Sequence, residues 1–319
     1  MSSEDSLEFE ALFARDGVTV SRSPWGEADE IGRLNWVEEA ATYQTVSRAS
    51  GSRVFDLSVE YFIGMPTWTG SGDPKYEHWM THTPQGSVND GLTGFSAEVH
   101  EKYSLCADSF LMNTHCGTHI DTLTHVGHYG HFWNGWTPER DLGGRHWLRG
   151  GSSNFPPIIA RGILLDIAGL HGVECLPDAY AVTPEDLRAA ARRQKVEPSR
   201  GDVVLVRTGM MSKWPGTDYL ESPPGVGLGA ARYLCEEVGV MCAGTDTIAF
   251  EPLPSEDSDS FLPVHGYMLA TAGAPIVEVL QLDALAEERV YAFLFLGFPM
   301  RIRGSTGAPL RPVALPLDD

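Results

Sequence analysis

The stretch Asn113 to His131, NTHCGTHIDTLTHVGHYGH, concentrates side chains that can bind a metal ion. His115, His119, Asp121 and His125 follow one another at intervals of four, two and four residues, with His128 and His131 close behind. Five of the chain's 11 histidines fall here. Neutral imidazole and carboxylate are the usual ligands of zinc, manganese or iron in hydrolytic centres, where three protein ligands leave a position open for water. Cys116, inside the stretch, has the chemistry of a ligand or a nucleophile, but it reads more simply as a small buried thiol. His128, His131 and His146 read as neighbouring or surface histidines.

No single regular element can aim four of these side chains at one point. On a helix, at roughly 100° per residue, His115 and His119 share a face while Asp121 and His125 point away. On a flat strand all four share a face but spread over roughly 33 Å. The segment must therefore bend, and Gly117 followed by Thr118 is the place for the bend.

The elements that must position the stretch can be read on either side of it. Residues 53–59, RVFDLSV, alternate as a half-buried strand does, and GMPTWTGSGDP continues as a long loop in which Trp68 is a candidate pocket wall. ADSFLMN, 107–113, predicts a strand delivering the histidines. Residues 131–156 form an aperiodic excursion, in which Trp133 is a second candidate for the substrate pocket. PIIARGILLDIA and GDVVLVRTG predict buried strands. Between them VTPEDLRAAARRQ predicts a helix with Thr183 as N-cap, Pro184 at the first helical position and arginines at its end. This strand, helix, strand succession implies an α/β layer. The glycines of PGVGLGA, Gly225, Gly227 and Gly229, imitate a dinucleotide fingerprint, but the third comes one position early and no strand precedes them. Further on, FLPVHGYMLATAGAPIVEVLQLDAL carries His265, with Glu278 after it.

Bulk properties limit the function classes. With 43 acidic against 23 basic residues and a net charge of -20, the chain repels nucleic acid and anionic membrane surfaces. The first residues, MSSEDSLEFE, lack the basic start and apolar core of a secretory signal, and no apolar run reaches a spanning length of ~18 residues, so a cytoplasmic protein is expected. Five scattered cysteines read as reduced thiols. The chain divides into residues 1–50, a polar lead and arm with a short amphipathic helix, and residues 51–319, one large domain.

Several of these stretches together resemble the metal-dependent cyclase/hydrolase family that includes kynurenine formamidases and isatin hydrolases. His115, Gly117, Thr118, His119, Asp121 and His125 match its H-x-G-T-H-x-D-x-x-x-H signature. WGEADEIGRLN, FDLS with GMPTW, RGILLDIA, GDVVLVRTG, AGTDT, LPVHGYMLATAGAPIVEVLQLDAL and GSTGAPLRP extend the likeness over residues 25–315. The resemblance implies an α/β fold of the swivelling β/β/α type, a single domain with a mixed sheet, assembled as a homodimer or homotetramer. It implies a divalent metal, zinc or manganese, as one ion or two, held by His115, His119 and Asp121, with His125 as proton carrier. In two-metal members a histidine and a glutamate near the C-terminal helix hold the second ion, and His265 and Glu278 occupy those places, so that both also count among the catalytic residues. The chain departs from the formamidases by reading Thr122, Leu123 and Thr124 where they carry a proline, and by its arm and its 131–156 excursion.

The chemistry expected is hydrolysis of a C–N bond in a small amide, formamide, lactam or imide by metal-activated water. The alternative is metal-assisted cyclisation or dehydration of a polyketide-like substrate.

Overall fold

A computed structural model describes residues 9–37, 39–49, 53–91, 93–102, 104–257 and 259–318. Residues 1–8 of the acidic lead lie outside these residues. The core is one mixed sheet of nine strands: β1 (Phe55–Asp56), β2 (His119–Asp121), β3 (Ile158–Asp166), β4 (Val203–Arg207), β5 (Cys242–Thr245), β6 (Ile276–Glu278), β7 (Ala292–Gly297), β8 (Gly307–Pro309) and β9 (Val313–Pro316). Their spatial order is β8-β2-β6-β5-β4-β3-β7-β9-β1. The four central strands β3, β4, β5 and β6 run parallel, and antiparallel strands extend the sheet on both sides. This is the mixed α/β single domain that the sequence predicts.

Parallel neighbours need crossovers, and helices supply them. Between β3 and β4 runs Pro184–Gln194; between β4 and β5, Leu228–Arg232 continues into a wider π-type turn, Tyr233–Val238; between β5 and β6, Pro263–Gly266 continues likewise into Tyr267–Thr271. Leu187, Ala190, Ala230, Leu234, Val264 and Met268 from these helices pack with Val204, Val206, Ala243 and Ile276 of the strands in one buried cluster. The opposite face of the sheet is covered by a second cluster, with Ile120, Leu164, Leu205 and Val277 against Leu34, Phe155 and Leu285. The parallel strands are therefore apolar on both faces, which is why they read as continuous hydrophobic runs.

Three local expectations need correction. The alternating run 53–59 pairs only at Phe55–Asp56, because the chain leaves the sheet edge there. Ala107–Leu111 is a strand, but it pairs only with Glu77–His82 in a separate two-stranded ribbon. The helix Glu39–Ser47 leaves Tyr43 and Val46 exposed, so it is not amphipathic towards the core.

The arm docks through Leu34 and through buried polar groups. Arg33, buried, donates to the carbonyl oxygens of Cys235, Val240 and Ala272. Asp29, also buried, accepts hydrogen bonds from Ser23, Asn35 and Trp133.

The helix Pro184–Gln194 begins with the capping arrangement its sequence announces. Thr183 Oγ1 accepts from Asp186 N at 3.1 Å, and Asp186 Oδ2 accepts from Thr183 N at 3.0 Å. Burial works against ionisation of Asp186, but hydrogen bonds from Thr183, His171 and Tyr180 more than offset it and hold the carboxyl below its ordinary value. Replacing Thr183 by alanine is expected to cost about 1 kcal/mol, read from the denaturation midpoint. A depressed folded-state acid stabilises the fold above its unfolded value near ~4 and loses that contribution as pH falls through the folded value, so the Asp186→Asn defect should shrink as pH is lowered below about 4.

Candidate metal centre

The centre lies where the antiparallel end of the sheet meets the helical face. Gly117 has φ +62° and lies against the Tyr61 ring, which an added Cβ would meet at 2.8 Å, so the bend at this position requires glycine. Tyr61 ties the bend down by donating to the carbonyl oxygens of Cys116 and Thr118. The chain then enters β2, whose alternation sends His119 and Asp121 to the helical face and Ile120 into the opposite cluster. Across the register His119 faces Glu278 of β6, and Asp121 faces Gly307 of β8. A side chain at Gly307 would meet the His115 ring at 2.6 Å. The glycine thus makes room for His115 to fold back over the strand.

The ring nitrogens are oriented by groups around them. His115 Nδ1 donates to Asp121 Oδ1 at 2.7 Å, and its Nε2 lies 2.9 Å from Thr306 Oγ1. His119 Nδ1 donates to the Gly117 carbonyl at 2.8 Å, which leaves Nε2 directed at Asp121 Oδ1 (3.4 Å) and Glu278 Oε2 (3.3 Å). His265 comes from the helix Pro263–Gly266. Glu251 accepts from the backbone N–H groups of Val264 and His265 and from His265 Nδ1 at 2.7 Å, so that His265 Nε2 points at Glu278 Oε1 (3.1 Å) and Asp121 Oδ2 (3.5 Å). A neutral imidazole with one nitrogen donating to a carbonyl or carboxylate presents the other as a metal ligand.

Two atoms at the meeting point lack ordinary partners. His119 Nε2 and Asp121 Oδ2 are buried and make no hydrogen bond among the described residues. Such groups are costly unless something pairs with them. Among the described residues two sets bring their ligand atoms within 4.8 Å of one another: His115, Asp121 and His125; and His119, Asp121 and Glu278. Asp121 belongs to both. An imidazole and carboxylate donor set built this way fits a divalent ion, with Asp121 placed to serve two.

The electrostatics agree. Burial by itself would lower the imidazoles of His119 and His265; contact with Asp121 and Glu278 reverses this, pushing His119 up to about 10 and His265, which also touches Glu251, well above its ordinary value. Asp121 is held well below the usual carboxylate range by the imidazoles around it, although burial acts the other way. The site attracts positive charge. His125 behaves differently. Burial and the neighbouring imidazoles hold it below its ordinary value against the pull of Asp121, so its ring is neutral at neutral pH. It stacks on His115 with centroids 3.9 Å apart, and its side chain keeps 28% of its surface accessible.

Above the centre is a cavity of about 290 Å³, whose walls include Trp68, Phe261, Ile248 and Leu253 and whose inner end includes His115, His125, His265 and Glu278. The structure therefore brings His115, His119, Asp121, His125, His265 and Glu278 together, and it places Trp68 at the cavity. Trp133 is elsewhere. It is fully buried, donates to Asp29 and packs over Gly273, so it fastens the arm to the core and does not line this cavity. Glu278 ends the strand β6, shortly before the last helix, Asp283–Glu287. Thr118 bonds the backbone of Val59 and Val279 and reaches no imidazole; the carbonyl of Gly117 does the orienting. Cys116 is packed against Met65 and Thr67. His131 stacks on Phe13, and His128 lies over Gly266.

Comparison with known proteins gives the family and the fold. The family described as "Putative cyclase" matches residues 55–252. The chain belongs to the cyclase family. The match includes the histidine motif and Glu251 of this cyclase-family protein and ends before His265. Among solved structures, a "novel cyclase" is similar with a TM-score of 0.80 and 25% identity over 91% of this chain and 95% of that one. Isatin hydrolase A from Labrenzia aggregata shares the fold at a TM-score of 0.62 and 21% identity, over 86% of this chain and 99% of that one. A "potential metal-dependent hydrolase with cyclase activity" shares it at 0.51 and 18%, over 82% and 98%. No curated protein sequence matches significantly.

Sequence reasoning missed Glu251, Thr306 and Gly307. Glu251 stands just before the acidic loop SEDSDS and looks like one more surface carboxylate. Thr122 and Thr124, which replace the formamidase proline, bond to each other and to the Ser305 carbonyl, so hydrogen bonds fasten the turn that carries His125 to the segment that carries Thr306. Glu251→Gln and Gly307→Ala are each expected to weaken binding of zinc or manganese by roughly 10–100-fold, measured by competition with a chromophoric chelator, with the far-UV spectrum unchanged.

Proposed function

We propose that this protein is a metal-dependent hydrolase that cleaves the C–N bond of a small amide, formamide, lactam or imide. One observation carries the reading: His119 Nε2 and Asp121 Oδ2, buried without partners, face Glu278 and His265 at the floor of an accessible cavity. Membership of the cyclase family and the shared fold with isatin hydrolase A support it. His115, His119, Asp121, His265 and Glu278 would hold zinc or manganese, as one ion or two. A bound divalent ion supplies a Lewis acid and lowers the pKa of water towards ~7.

The chain's own residues supply the rest. Asp121 and Glu278 provide negative charge at the floor, and Glu251 and the Gly117 carbonyl keep the imidazoles aimed. His125, neutral and at the cavity wall, is placed to take a proton from the attacking water at Nε2 and return it to the leaving nitrogen. The aromatic and aliphatic walls hold the organic part of the substrate and exclude bulk water.

The likeness to the "novel cyclase" at 25% identity favours a second reading, cyclisation or dehydration with His125 moving a proton from carbon. Product mass separates the two, since hydrolysis adds one water and dehydration removes one. Metal analysis combined with a screen of formamides, lactams and cyclic imides is expected to find a bound transition metal and a hydrolysed substrate. Chelation should abolish turnover and added metal restore it. His125→Asn should lower kcat by roughly 10²–10⁴-fold. Intact turnover in that variant, or full activity after chelation, would refute the mechanism.

A further inference from the structure

The walls of the cavity carry a charge pattern that the proposed chemistry does not require. Asp73, Trp68 and Phe261 are all among its lining residues, which include no lysine or arginine. Asp73 makes no hydrogen bond or ion pair among the described residues, unlike Asp121 and Glu251, which the fold uses. The two aromatic rings lie 6.1 Å apart at an interplanar angle of 37° and are both exposed, Trp68 by 38% and Phe261 by 62%. The Trp68 ring is seated on Gly70, where an added Cβ would meet it at 2.7 Å. The same two rings also line an adjoining surface pocket that contains Asp257 and Asp259 and again no basic residue.

A substrate entering here meets two π-faces and a free carboxylate. Aromatic faces attract cations through their quadrupole, and a nearby unpaired carboxylate adds Coulomb attraction at short range. An anionic substituent against these walls meets the same groups with no lysine or arginine among the lining residues, in a chain whose net charge is -20. We propose that Asp73, with Trp68 and Phe261, selects substrates whose flat apolar body bears a positively charged substituent, and rejects those bearing an anionic one. This rests on the cavity being the substrate site of the hydrolase proposed above. It adds a specificity determinant to that site, outside the metal ligands and the proton carrier.

The test uses the metal-loaded full chain and three inert probes of similar size: phenyltrimethylammonium, benzyl alcohol and benzenesulfonate. Sulfonate is chosen because it coordinates metals weakly. Binding is followed by titration calorimetry, with ligand-detected NMR for weak cases. The cation is expected to bind roughly tenfold more tightly than the sulfonate, and Asp73→Asn to remove most of that preference. Asp73→Lys should reverse it. Retained metal content and thermal midpoint in both variants show that the fold is intact. Equal binding of cation and sulfonate by the wild type, or an unchanged ratio in Asp73→Asn, would overturn the proposal. The binding order is read without turnover, so a failure of the hydrolase reading in the substrate screen is seen separately from a failure of this one.

Discussion

Two carboxylates buried on adjacent strands set the terms for the rest of the structure. Asp121 and Glu278 are almost inaccessible, and ionised carboxylates in such surroundings are sustained only by positive charge and hydrogen bonds. Three imidazoles face them directly, and other groups hold those imidazoles in place. Glu251 anchors one, the Gly117 carbonyl a second and Thr306 the third. The need for compact backbone follows from the same crowding. Gly117 provides the left-handed bend, and Gly307 leaves the space that the His115 ring fills. The cluster is built to draw in positive charge.

Around this floor the protein divides labour between rigid and variable parts. His119 and Asp121 sit on β2, Glu278 on β6, His265 on a short helix between β5 and β6, and His115 in the turn that enters β2. Sites on such elements keep their geometry. The cavity walls come from loops: Trp68 and Asp73 from the segment after β1, and Ile248, Leu253 and Phe261 from the segment after β5. Loops are where specificity can change without disturbing the core.

How much of this could be read from the amino acids follows from the range of the interactions involved. The histidine motif was legible because its imidazoles and carboxylate are close in sequence, and the impossibility of focusing them on one regular element located the bend at Gly117. The helix from Pro184 was legible because its cap is local chemistry between Thr183 and Asp186. His265 and Glu278 came only through family resemblance, since nothing near them in the chain announces a ligand. Glu251 was invisible for a related reason: its partners, Val264 and His265, lie beyond an acidic loop, and a lone glutamate there reads as solvated. Trp133 was misplaced because aromatic residues in an aperiodic segment look alike whether they line a cavity or plug a core. The strand Ala107–Leu111 has ordinary strand composition, and composition does not say which sheet a strand joins.

The flanking of β2 bears on how the protein is made. Its two hydrogen-bonded neighbours, β6 and β8, both come from the last part of the chain. A growing polypeptide carries the histidine motif long before either partner strand has been synthesised, and contacts so distant in sequence form late and slowly. Until then His115, His119 and Asp121 are an unassembled peptide without Glu278, His265 or the Gly307 seat. An ion held there, as proposed, would tie the middle of the chain to its last third, because the full set of residues that would hold it exists only once β6 and β8 have joined β2.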